Sequence, residues 1–210
     1  MQFENVKQLI QPLIKGGQEW QYISINGTDD NKPRFYFSNV QWGILIFSAL
    51  ILLQLPKGIS KDIIGYIVSA FAISITLFMS LLVSIFDKFE NTKFETKNKT
   101  ESEIVRLVQK RNFFKRFISI TSYLVILAIL IIVISSMPYI FDFLAREVKI
   151  EKLVFTWSNI DLLRTFKNTL IVIYRIALNY FLLNYLFLTL FVAGSAYEYY
   201  ISELNIGKIN

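Results

Sequence analysis

The chain has 210 residues, is 54% hydrophobic and 16% aromatic, and carries 18% charged residues with a formal net charge of +6, a balance typical of membrane-embedded rather than soluble proteins. It contains no cysteine and no histidine. That removes disulfides, thiolate nucleophiles, Ser-His-Asp relays, haem axial histidines and most zinc sites, so no catalytic, cofactor-binding or metal-ligating residue is assigned and an enzyme is not expected.

Residues 1–39 form the first segment. Phe3, Val6, Ile10, Leu13 and Ile14 recur on one face of a short helix that the sequence ends at Gly16 and Gly17. EWQYISING and PRFYFSN then read as two strands around TDDNK, a small β-hairpin, although Arg34 to Asn39 can equally extend the first membrane helix. No early apolar run closes on a small-residue cleavage site, so a signal peptide is not expected.

Four apolar stretches follow, at roughly 40–56, 63–86, 117–137 and 168–194, against a requirement of about 20 residues per helical crossing. The first is the shortest, with Trp42 at its interface. The expected fold is an all-α membrane protein with four transmembrane helices. Helices 1 and 2 lie in 40–86, a cytoplasmic helical hairpin in 87–116, helix 3 in 117–137, an extracytoplasmic loop in 138–165, helix 4 in 166–196 and a cytoplasmic tail in 197–210.

Lysine and arginine bias sets the orientation. Residues 1–39, the 87–116 loop and the tail together hold fourteen such residues, nine of them in the loop, whereas the two opposite connections hold seven. Both termini and the 87–116 loop are therefore placed in the cytoplasm. NGT at 26–28 and NKT at 98–100 match the glycosylation pattern but lie on that side, where they are chance matches.

Neither glycine nor proline occurs between Gly65 and Pro138, so helices 2 and 3 are expected to run on beyond the lipid. Phe86, Phe89 and Phe94 extend the apolar face of helix 2. Ile104, Leu107, Val108 and Phe114 lead into helix 3, with the turn near Thr96 to Lys99. Thr100 and Glu103 in TESE have capping-box spacing. The basic cluster Arg106, Lys110, Arg111, Lys115 and Arg116 reads either as a positive-inside anchor against anionic lipid or as a surface for a protein partner. Five acids interrupt the 87–116 loop and leave it a net +4, so direct nucleic-acid binding is not expected.

Gly65, Ser69, Thr76, Ser80 and Ser84 fall within an arc of about 100° on helix 2. Such a stripe packs helices closely or, repeated around an axis, lines a pore. Arg175 and Asn179 share a face within helix 4. At about 12 Å beyond Lys167 along the axis, Arg175 either snorkels, meets a structural partner such as Asp142, or serves ion passage, lipid binding or gating. In the 138–165 loop, Ser158 and Asp161 are candidate caps for helix 4. No phosphate-binding glycine loop, HExxH, serine-hydrolase elbow or intramembrane aspartate pair is present.

Cytoplasmic termini, four spans and a charged connection around TESEIVRLVQKRNFFKRF resemble the small membrane subunits of bacterial anti-phage systems, in particular the KwaA family of the Kiwa system. The four-span accessory proteins of type VI-B CRISPR loci are similar in size and layout. The Kiwa resemblance is one of architecture and transfers no individual residue. It implies a homo-oligomeric, tetrameric inner-membrane sensor and scaffold that recruits and regulates a cytosolic, KwaB-like effector. A small oligomeric ion channel or pore is the competing expectation, with Ser69, Thr76 and Ser80 lining it and Arg175 shaping selectivity.

Overall fold

The computed structural model describes residues 3–19, 38–54, 59–92, 100–146 and 162–207. All regular structure among them is helical: α1 (Phe3–Glu19), α2 (Asn39–Gln54), α3 (Lys61–Glu90), α4 (Glu101–Ile140), a single 3-10 turn (Asp142–Ala145) and α5 (Leu162–Gly207). The expected β-hairpin, the turn at Thr96 to Lys99, Phe94 and the Ser158 and Asp161 caps lie outside the described residues.

Among the described residues, three helices, α3, α4 and α5, are long and apolar enough to cross a membrane. The 16 residues of α2 extend only about 24 Å, less than the roughly 30 Å hydrocarbon core. Its start is sharply defined. The Ser38 backbone N–H donates to Gln41 Oε1 at 3.0 Å and the Gln41 N–H donates to Ser38 Oγ at 3.3 Å, a reciprocal capping box that the sequence reading passed over. Ser60 caps α3 by its hydroxyl alone, accepting from the Ile63 N–H at 3.3 Å.

Several helix boundaries differ from the expected ones. α1 continues through Pro12, Gly16 and Gly17 to Glu19. The glycines serve helix approach rather than termination: a Cβ on Gly17 would overlap the Tyr123 side chain, and one on Gly16 would sit 3.4 Å from Ser119 Oγ. α4 runs through Pro138, which has no N–H and so forgoes one intrahelical bond, and ends two residues later at Ile140. α5 absorbs most of the expected tail, running to Gly207. α3 stops at Glu90 instead of continuing toward Phe94. There the Asn91 side-chain amide donates to the Asp87 carbonyl at 2.8 Å and the Thr92 hydroxyl to the Lys88 carbonyl at 2.7 Å, occupying two of the last carbonyls.

The described chain divides into two compact units. The first contains α1, the C-terminal part of α3, the N-terminal part of α4 and the end of α5. Its core includes Phe113, Phe114, Phe117, Ile120 and Leu124. The second contains α2, the start of α3, the end of α4 with the 3-10 turn, and the earlier part of α5. Ile64, Leu127, Ile131, Leu144, Ile171 and Leu178 are buried there, and Phe71 meets Tyr185 edge to face at 4.7 Å between ring centres.

Candidate functional site

Three groups of residues carry the candidate chemistry. The first is the start of α4, in the first unit. The capping expectation holds in part: Glu103 Oε2 accepts from both the backbone N–H and the hydroxyl of Thr100, each at 2.8 Å. The Phe89 and Phe114 rings meet edge to face at 5.7 Å, so the apolar stripes anticipated on the two sides of the 87–116 connection do pair. Phe113 and Phe117 extend the cluster at 5.8 Å.

The five basic residues do not form one patch. Arg106 and Lys110 lie one turn apart on the face that carries the phenylalanines deeper in α4, and Arg111 and Lys115 form a second row about 140° away. Arg106, Arg111 and Lys115 are exposed, while Lys110 and Arg116 are half-buried. The Arg116 guanidinium lies 5.1 Å from the centre of the Phe191 ring on α5, a cation–π contact that commits it to the fold. Lys88 sits similarly over Tyr200 at 5.3 Å. Sequence reasoning found neither contact, because no local spacing relates α4 to α5 or α3 to the end of α5.

The second group is the stripe on α3. Ser69, Thr76, Ser80 and Ser84 are exposed and Gly65 is half-buried. The half-buried positions, among them Phe71, Ile75, Phe78, Leu82 and Phe89, occupy the opposite side of the helix. The stripe therefore faces outward. The Ser80 hydroxyl donates back to the Thr76 carbonyl at 3.0 Å, a local bond that lets a hydroxyl face an apolar surrounding. No part of the most apolar window of α3 is buried within the chain, against 39% for α4 and 33% for α5.

The third group surrounds Arg175 in the second unit. Arg175 is only 3% exposed, and its guanidinium donates to the backbone carbonyl of Arg146, just past the 3-10 turn. Asn179 is half-buried one turn along, and Asn184 is buried on a different face. Asp142 pairs with Lys61 at 3.4 Å and Arg146 at 3.8 Å. Tyr139, immediately after Pro138, donates its hydroxyl to the Lys61 carbonyl at 3.1 Å. Lys61, Tyr139, Asp142, Arg146 and Arg175 thus tie the start of α3, the end of α4 and α5 together through polar contacts.

No protein-family model, no curated protein and no solved structure matches this chain.

Proposed function

We propose that the chain is a multi-pass, non-catalytic subunit of a bacterial inner membrane. In this reading it assembles with copies of itself along α3 and regulates a cytosolic effector held at the start of α4. The observation that carries it is the outward hydroxyl stripe on a helix whose most apolar window holds no fully buried residue. Hydroxyls and small residues let neighbouring transmembrane helices approach closely and hydrogen-bond.

Four crossings with both termini in the cytoplasm follow from the four apolar stretches and the lysine and arginine bias. The exposed row Arg111 and Lys115 supplies the partner surface, with anionic lipid at its base. A role in anti-phage defence, with a KwaB-like effector and a tetrameric assembly, follows from the architectural resemblance to KwaA; the type VI-B CRISPR accessory proteins are the second candidate.

The absence of native cysteine makes the assembly directly testable. Ser80→Cys and Thr76→Cys should each form disulfide-linked dimers in oxidised membranes while Phe78→Cys, on the half-buried side, should not; equal cross-linking at all three overturns the α3 interface. Charge reversal of Arg111 and Lys115 to glutamate should abolish recovery of the effector with the membrane fraction, and unchanged recovery would remove the partner assignment. The outward hydroxyls also favour a second reading, an oligomeric pore. Ion flux through reconstituted protein that Thr76→Leu and Ser80→Leu block would establish that reading over the scaffold.

A further inference from the structure

We infer that α1 is an interfacial helix, lying at the headgroup–acyl boundary of an anionic leaflet with Leu9, Ile10, Leu13 and Ile14 inserted among the lipid chains. The inference rests on the proposed crossing of the membrane by α4.

Leu9, Ile10, Leu13, Ile14 and Gly17 fall within an arc of about 140° on α1, and Gln8, Gln11 and Lys15 occupy the other side. The apolar arc is partly open: Leu9 is 71% exposed, Ile10 39%, and Leu13 and Ile14 37% each. An open apolar arc alone does not name what covers it. Its depth does.

Gly17 lies on that arc and is buried against Tyr123, Gly16 abuts Ser119, and Gln18 hydrogen-bonds Tyr123. From Phe117, directly after Lys115 and Arg116, α4 carries no further charged residue. Ser119 and Tyr123 therefore stand about 3 and 9 Å inside the uncharged stretch, measured along the helix axis. Amphipathic helices settle about 5–10 Å into the headgroup–acyl boundary. The contact with α4 thus holds the end of α1 at the level where acyl chains begin, and the rest of its apolar arc meets lipid there.

Charge selects the leaflet chemistry. Lys7 borders the apolar arc, Lys15 lies on the polar side of α1, and exposed Arg111 and Lys115 stand just above Phe117 on α4. Basic side chains at that level complement anionic headgroups. A second copy of the chain would bring the same positive residues together.

The test uses the full chain in nanodiscs containing anionic phosphatidylglycerol. Single cysteines at Leu9→Cys, Leu13→Cys, Gln11→Cys and Ile129→Cys carry an environment-sensitive fluorophore. Ile129, exposed within the apolar part of α4, is the deep reference. Labels at positions 9 and 13 should be quenched by shallow spin-labelled lipid about twofold or more above the label at position 11, which aqueous iodide should quench instead. Equal iodide quenching at all three α1 positions overturns the inference in favour of a solvated segment. Protection of positions 9 and 13 from both quenchers overturns it in favour of a subunit contact. Failure of deep spin-labelled lipid to quench position 129 removes the membrane reading itself, so the two failures are told apart.

Discussion

Arg175 illustrates how one side chain can organise a polar end of an apolar bundle. Its guanidinium donates to the Arg146 carbonyl while the residue is almost wholly buried, so truncation leaves a carbonyl without that donor. Arg175→Ala should destabilise the protein by about 1–3 kcal/mol, the cost of stranding a buried polar group, read as a lower melting temperature in detergent. Asp142→Asn should change stability by less than about 1 kcal/mol, because the ion pairs of Asp142 are solvent-exposed; equal losses in the two variants would contradict the distinction. Gly17 acts by absence of a side chain. Gly17→Leu should lower the melting temperature by an amount equivalent to about 1–3 kcal/mol, the usual cost of overpacking, as α1 is forced away from Tyr123, and an unchanged melting curve would show that the contact is dispensable.

At the scale of the element, helix ends were partly legible from local chemistry. Thr100 and Glu103 carry a recognisable cap, and the structure forms it through the Glu103 carboxylate. Thr100→Ala should weaken the first turn of α4 by about 0.5–2 kcal/mol, visible as faster amide exchange at Ser102 to Ile104; unchanged exchange would show that the turn is held from elsewhere. Ser38 and Gln41 carry the same type of signal, but they directly follow the aromatic-rich run PRFYF, whose composition favours a strand. Gly16 and Gly17 misled because glycine supports both a helix stop and a close helix crossing, and only the position of Tyr123 separates those uses. The continuation of α5 to Gly207 was readable, since no proline or glycine interrupts residues 195–206.

For the whole molecule, the proposed orientation makes a sidedness prediction. Arg106→Cys should react with a membrane-impermeant maleimide only in inverted vesicles, and Asp142→Cys only in right-side-out cells. Both side chains are exposed, so the reverse pattern would invert the topology and move the partner surface out of the cytoplasm. The basic residues were visible as a cluster in the sequence, yet their division into Arg106 with Lys110 and Arg111 with Lys115 followed from helix phase. The commitment of Arg116 to Phe191 required a neighbouring helix.

The sequence by itself determined that the chain is rich in long apolar helices, because apolar run length is a local property that composition records directly. It also determined the small-residue arc on α3 and the amphipathic arc on α1, because helical periodicity converts sequence spacing into faces. Only the tertiary structure decided which face looks inward. Burial depends on residues far apart in the chain, and for that reason the α3 hydroxyls are outward, Arg175 is enclosed near the Arg146 carbonyl, and two glycines bring α1 against α4.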